Sequence, residues 1–437
     1  MRRSRAWVWA LVVFVAAVGL ATPPQPAGAK APDFSGVKNV ILFIGDGMGP
    51  NEVKLGKLMA DGPLWTDAVP WTTGSLATAS LDGVTDSAAA GTALATGVET
   101  HNGQLSTAPN GRPVETVLER AESNGKATGL VTTDAETGAT PAAFAAHVMS
   151  RDWKLAITRQ YVKQGIEVLL SSSWKYTYLL DGRSGVTYID NSTDLAPYLA
   201  GETPWPTSLY GFPGEGNRPL AYNLDREETG AVGVQPTLTD FTTAALNVLG
   251  QDPNGFFLMV EGGQIDWCGH QRDAACDAAE VEEFARAVQV GLDYASGRDD
   301  TLVLVTADHE TGGLNFGSGI DTSVIAGQSA TDMFIWRQIK LGRLTAEQAM
   351  ATYAGITDLT RTEKRLLTQY DNWKTMMEIS DVLSAREHLT WAWSDGSPAE
   401  HTATDTPMYA FGPGQDAFAG RYANERVGRL LLEAVSD

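Results

Sequence analysis

Cysteine is nearly absent: the 437 residues hold only Cys268 and Cys276, too few for a chain stapled by a disulfide framework. Cationic side chains are also scarce, 32 Lys and Arg against 53 Asp and Glu, for a net charge of −21. That balance argues against a protein that tracks a nucleic-acid backbone, which needs a basic surface. It also argues against attraction to anionic membranes. An anionic substrate would have to be met by something locally positive, such as metal ions or a placed Arg. Histidine occurs only six times, so any that fall at special positions are informative. No internal repeat is present, and no low-complexity tract follows residue 29. What is present is a globular composition, 43% hydrophobic and 19% charged. It excludes a disordered chain and suffices for a large core. The length is that of two or three typical domains, or of one α/β domain with insertions.

Arg2, Arg3 and Arg5 precede an apolar run from Trp7 to Leu20, followed by Pro23-Pro24-Gln25-Pro26 and the small-x-small triplet Ala27-Gly28-Ala29. This is the pattern of an export signal over residues 1–29. The run is short for a membrane span, and an uncleaved anchor is the other reading. The Arg pair is compatible with general or twin-arginine export. No Cys stands near the cleavage site, which argues against a lipid anchor there. Cleavage removes three Arg and no acid, so the remaining chain, residues 30–437, is more acidic still. It would be secreted or periplasmic, with no membrane span. An oxidising compartment makes a Cys268–Cys276 disulfide reasonable, two free thiols being the alternative.

Short β-type apolar runs then alternate with helical patterns, which predicts an α/β fold built on a parallel sheet with crossover helices. Strands are expected at 37–44, 127–132, 166–170, 256–260, 301–306 and 408–411, and helices at 87–95, 141–150, 238–249, 278–294 and 424–435. The stretch from about 319 to 394 breaks the alternation, is rich in Lys, Arg, Glu and Trp, and reads as a helical insertion.

In such a fold, chemistry gathers at the carboxyl ends of the strands. Asp46 follows the first expected strand. Glu261 follows the fourth, with Asp266 and His270 just beyond. Asp308 and His309 follow the fifth, and His401 precedes the sixth. A carboxylate directly after an apolar strand is partly buried and needs a partner. Mixed Asp/His ligation suits zinc, and all-oxygen ligation suits magnesium. Asp86 is a good N-cap for an Ala-rich helix opened by Ser87; a hydroxyl there faces free N–H groups and the positive dipole end, an anion site. Thr140-Pro141 reads as N-cap and N1 of the next helix, with Arg151 at its far end, suited to bidentate phosphate capture. His147 falls one turn before Arg151 on the same expected helix face, where packing or support of a neighbour fits better than ligation. His101 sits in an Asn-Gly turn and is expected to be exposed; His388 lies in the insertion and receives no role.

The ordered set of segments Val-Ile-Leu-Phe-Ile-Gly-Asp-Gly-Met-Gly, Thr-Asp-Ser-Ala-Ala-Ala-Gly-Thr-Ala, Ala-Thr-Pro with Arg151, Glu261…Asp266…His270, Thr-Ala-Asp-His-Glu-Thr-Gly-Gly and Glu-His-Thr resembles the alkaline phosphatase family from about residue 38 to 430. The resemblance implies a central, mainly parallel sheet with helices on both faces, usually as a homodimer. It implies one catalytic domain over 30–437 that hydrolyses small phosphate monoesters, with Ser87 as the nucleophile that forms a phosphoserine. Asp266, His270 and His401 would bind one zinc, and Asp46, Asp308 and His309 a second. Asp46, Thr140 and Glu261 would bind a third ion, usually magnesium. Arg151 would clamp two phosphate oxygens. Two zinc ions about 4 Å apart suit an in-line displacement.

Two positions depart from the family pattern. Gly138 stands where well-known bacterial members carry Asp and vertebrate ones His, which leaves the third ion less well supported. Trp267 stands where other members have Lys or His and is similar to the Trp of some marine bacterial members. Loss of a cation there would weaken phosphate binding, raising KM and speeding product release together. Within the wider superfamily, a diesterase or a sulfatase is the second reading; Ala89 and Gly91 replace the Pro and Arg that a sulfatase needs after its modified residue. An acidic metal-binding or adhesion protein without turnover is the third.

Overall fold

The buried strand patterns account for the architecture. Along β1 (Asn39–Gly45) every residue is buried. Val40, Leu42 and Ile44 pack into one hydrophobic cluster, while Ile41 and Phe43 pack into another. Successive side chains of a strand point to opposite faces, so a strand apolar at both parities must be covered on both sides. Helices Ser87–Thr96, Ala139–Ala145 and Asn424–Ala434 supply the first cover, and Leu238–Leu249 with Ala274–Ala295 the second.

A computed structural model describes residues 32–436 apart from 61, 174, 214–219, 318, 370–372 and 394–398. The expected export signal at 1–29 lies outside the described residues, as does the far limit of the expected insertion, Ser394. Among the described residues no helix is long and apolar enough to cross a membrane.

The remaining strands are β2 (Thr72–Ala77), β3 (Ala127–Ala135), β4 (Val168–Ser172), β5 (Thr187–Ile189), β6 (Leu209–Gly211), β7 (Phe256–Gly262), β8 (Thr301–Thr306), β9 (Glu310–Thr311), β10 (Asn315–Phe316), β11 (Leu389–Thr390), β12 (His401–Thr402), β13 (Thr406–Phe411) and β14 (Gly420–Ala423). Ten of them form one sheet in the order β14-β2-β13-β8-β1-β7-β3-β4-β6-β5. Within this sheet, among the described residues, every pairing is parallel except those of β13 with β2 and β8. The expected α/β sheet, mainly parallel and covered on both faces, is therefore observed.

The sixth expected strand is the one that runs backwards. Its N-terminal end lies at the carboxyl edge of its neighbours, so residues just before it reach the same edge as residues just after β1, β7 and β8. The expected helix over 141–150 is also corrected. It spans Ala139–Ala145 with Gly138 as N-cap, and Ala146 turns extended. Val148 instead exchanges backbone hydrogen bonds with Leu105, at 3.0 and 2.9 Å. Thr140 is thus inside the helix rather than its cap, and His147 and Arg151 are not on it.

The stretch read as an insertion leaves at β10 and returns at β11, which pair antiparallel. Between them run helices Thr322–Ala326, Asp332–Lys340, Ala346–Tyr353, Arg361–Gln369 and Trp373–Glu387, around an apolar cluster that includes Ile335, Met350, Leu367 and Ile379. Buried Arg272 ties this segment to the sheet helices through Asp381 and the carbonyl oxygens of Trp393 and Met377.

Candidate active site

The central strands bring the acids together. Sheet register sets Ile44 of β1 opposite Glu261 of β7 and Thr306 of β8. Asp46, just beyond β1, therefore sits beside Glu261 and just across from Asp308. Gly47 makes the turn at φ +74°, and a Cβ there would lie 2.8 Å from the Asp266 backbone, so only glycine lets the β1 turn and the helix that follows β7 approach so closely. That helix, Gln264–Gln271, carries Asp266 and His270 one turn apart, on one face. The antiparallel entry to β13 delivers His401, paired through β12 with Thr311 of β9.

The imidazoles and carboxylates converge. His309 Nε2 lies 3.3 Å from Asp308 Oδ2 and 3.5 Å from Asp46 Oδ1. Asp266 lies 3.3 Å from His270 Nε2 and 3.6 Å from His401 Nε2. The His309 and His401 rings stack at 3.6 Å. Two sets offer ligand atoms within 4.8 Å of one another: Asp46, Asp308 and His309, and Asp266, His309 and His401. His309 belongs to both. His270 joins the second set through Asp266. The far ring nitrogens are held by backbone: Ala399 O faces His270 Nδ1 at 2.5 Å and Thr85 O faces His401 Nδ1 at 2.9 Å. Such contacts fix the nitrogen that faces inward.

The donors fit divalent cations. Asp46 Oδ1 and Asp308 Oδ2 are buried with no hydrogen-bond partner among the described residues, a costly state unless a cation takes the lone pairs. Burial, then repulsion from Asp308, Asp266 and Glu261, drives Asp46 well above the carboxylate range. Burial and Asp266 push Asp308 to about 7. Burial and Asp134 push Glu261 to about 8. Burial also opposes ionisation of Asp266, but His270, with His309 and His401, holds it low. Burial works against charge on His270 too, but the Asp266 bond prevails and holds it up to about 9. Burial and neighbouring His401 press His309 well down, towards the neutral form that ligates metal.

Ser87 opens helix Ser87–Thr96, with Asp86 as cap: Ala89 N donates to Asp86 Oδ1 at 2.9 Å. Ser87 Oγ lies 3.1 Å from His309 Nε2. Asp86 Oδ2 also accepts from Gly103 N at 3.0 Å and from Arg151 Nη1 at 3.2 Å. Arg151 is anchored in turn by its own N–H, which donates to Gly103 O at 2.7 Å. One carboxylate thus caps the helix that Ser87 opens and holds the Arg151 guanidinium beside its start.

The family model described as alkaline phosphatase matches residues 37–436. The chain belongs to the alkaline phosphatase family. It is 33% identical to alkaline phosphatase 4 of Bacillus subtilis (strain 168), covering 94% of this chain and 91% of that one. It is also 33% identical to streptomycin-6-phosphate phosphatase of Streptomyces griseus, over 70% of this chain and 80% of that one. Among solved structures, the cold-active alkaline phosphatase of Shewanella sp. aligns with a TM-score of 0.79 at 29% identity, covering 91% of this chain and all of that one. The Thermus thermophilus alkaline phosphatase aligns with a TM-score of 0.80 at 25% identity over 95% of each chain. The protein is a phosphomonoesterase of this metal-dependent family, which decides among the three readings left open by its sequence.

Two features of this alkaline phosphatase site escaped sequence reasoning. Thr311, fully buried, donates from Oγ1 to Asp266 Oδ1 at 2.6 Å and lies 3.2 Å from His309 Nδ1. It stands inside a motif already singled out, but nothing in spacing marks which nearby hydroxyl turns inward. Thr132 Oγ1 donates to Glu261 Oε2 at 2.5 Å; its pairing with Glu261 is a property of strand register alone. Trp267 packs edge-on to Tyr222, 6.2 Å between ring centres. The sulfurs of Cys268 and Cys276 lie at bonding distance, 1.95 Å, tying the helix of Asp266 and His270 to the next. His147 bridges Glu119 at 2.9 Å and the Ser106 carbonyl at 2.8 Å, apart from the metal-type cluster.

Proposed function

We propose that this protein hydrolyses phosphate monoesters through a phosphoserine on Ser87. The observation that carries the reading is Ser87 at a capped helix start, its Oγ 3.1 Å from His309 within the Asp/His cluster. Asp266, His270 and His401 would hold one zinc; Asp46, Asp308 and His309 a second; Asp46, Thr140 and Glu261 a magnesium. Bound there, these cations would supply Lewis acidity towards the nucleophile, the leaving oxygen and the phosphoryl charge. The protein's own groups do the rest. Arg151, aimed by Asp86, takes two phosphoryl oxygens in a fork. The first N–H groups of helix Ser87–Thr96 face the same anion. Ser87 Oγ attacks phosphorus as the ester P–O bond breaks; the proton lost by Ser87 is balanced by the one gained by the departing alcohol. Water then cleaves the Oγ–P bond and releases inorganic phosphate.

Residues 30–437 would act as one catalytic domain, with about 319–394 inserted. Family resemblance supports a homodimer, and the pattern at 1–29 supports export to a periplasm or the medium. The test is hydrolysis of a chromogenic monoester at mildly alkaline pH, with acid-quenched labelling. Wild type should retain labelled phosphate and lose activity on chelation until zinc returns, with a further gain from magnesium. Ser87→Ala should lose the label and about a thousandfold or more in kcat. A Ser87→Ala protein that keeps label and turnover would refute the assignment.

A further inference from the structure

Position 138 is glycine, yet its backbone does not ask for one: φ is −51°, open to any residue. What excludes a side chain is Asp134. A Cβ at 138 would lie 2.5 Å from Asp134 Oδ2 and 3.1 Å from its Cγ, with the Ala135 carbonyl at 3.0 Å. The Asp134 carboxylate therefore fills the volume into which a side chain at 138 would point. Gly263 marks the other side. A Cβ there would lie 3.0 Å from Asp134 Cβ and 3.4 Å from Glu261 Cδ, so both acids crowd one point. Asp134 is fixed in place: its Oδ1 accepts from Ala135 N at 2.6 Å, and its own N–H donates to Thr132 Oγ1 at 2.8 Å. Thr132 in turn donates to Glu261. Asp134, Thr137, Gly138, Lys154 and Trp267 line a cavity of about 240 Å³, large enough for waters.

We propose that Asp134 is a positioning residue for the cation held by Asp46, Thr140 and Glu261, supplying from β3 the outer carboxylate that position 138 lacks. The proposal rests on the third-site reading given above. Magnesium keeps several of its waters, and an outer carboxylate that accepts their hydrogen bonds orients the shell and raises affinity. Lys154, whose Nζ donates to Thr137 O at 2.7 Å, balances charge on the far side of the cavity. Because Asp134 and a side chain at 138 claim the same space, either can serve, and the two together require the Asp134 carboxylate to shift.

The experiment titrates Mg2+ calorimetrically into zinc-loaded protein depleted of magnesium, with metal contents measured alongside. Asp134→Ala should weaken Mg2+ binding by about ten- to a hundredfold while zinc content stays unchanged. Asp134→Asn, which keeps the volume, should show the same loss and so separate charge from folding. Adding Gly138→Asp to Asp134→Ala should restore most of the affinity, whereas Gly138→Asp alone should lower thermal stability by steric conflict. Loss of Mg2+ binding in Glu261→Gln but not in Asp134→Ala would overturn the role of Asp134 alone. So would a double variant no better than Asp134→Ala. Wild-type binding that is absent, or that survives both Glu261→Gln and Asp134→Ala, would overturn the third site and with it this role.

Discussion

Thr311→Val is the most exacting perturbation of the metal-type cluster, because it removes one hydroxyl and keeps the shape. Thr311 is fully buried, and its Oγ1 donates to Asp266 Oδ1 at 2.6 Å. A hydrogen bond to a charged acceptor is worth about 1.5–3 kcal/mol, and each 1.4 kcal/mol is about tenfold in affinity. No water is expected to replace the donor, since the isosteric methyl fills its place. Zinc affinity should therefore fall about ten- to a hundredfold, the range found when a metal ligand loses its orienting partner. The assay is competition for zinc against a chromophoric chelator, with kcat measured at saturating zinc. The variant should keep most of its kcat once loaded, because Ser87 and Arg151 are untouched. Zinc affinity within twofold of wild type would refute the claim that Thr311 orients Asp266. A kcat lost even at saturating zinc would show that the hydroxyl acts on the substrate instead.

On the proposed placement of Trp267 at the substrate, Trp267→Lys brings a cation towards the phosphate, worth about 1 kcal/mol at 4 Å in water. Phosphate inhibition should tighten about fivefold, with KM and kcat both falling; unchanged inhibition and kcat would remove Trp267 from product release. In metal-stripped protein, Asp308 at about 7 and Glu261 at about 8 titrate above their unfolded values. Their stability contribution is complete below the unfolded values near 4 and is lost as pH rises through 7 to 8, at about 1.4 kcal/mol per pH unit for each extra proton held. The melting temperature of stripped protein should thus fall between pH 5.5 and 8.5 by several degrees more than that of zinc-loaded protein; parallel curves would count against the carboxylate cluster. Replacing both Cys268 and Cys276 by Ser opens a loop closed over a separation of 8 residues, worth about 2.5 kcal/mol, or roughly 3 °C for a chain of this size. A differential scan of oxidised wild type and variant measures it, and an unchanged melting temperature would show that packing alone holds the two helices.

Local sequence is enough to set the class of fold and the kinds of residue at its centre. Strands apolar at both parities require a doubly covered sheet, and acids placed straight after such strands require partners. Asp46, Glu261, Asp308 and Ser87 were legible for that reason: each is fixed by its own strand or helix end, within a few residues of the signal. Where a local rule had to predict a distant contact, it failed. Thr140-Pro141 reads as N-cap and N1 from the Thr-Pro pair itself, and the Ala-rich run after it reads as a helix with Arg151 at its far end. The backbone exchange between Leu105 and Val148, far apart in sequence, ended that helix early and carried Arg151 to Asp86. Long-range packing makes β13 run antiparallel, which delivers His401 to the edge where Asp46 and Asp308 end. It alone set Thr132 beside Glu261, turned Thr311 onto Asp266, and put the Asp134 carboxylate into the space left by Gly138. The physical reason is one of range. Periodicity, caps and turns are enforced over a few residues, whereas the partner of a buried charge is chosen by sheet order and close packing across the whole chain.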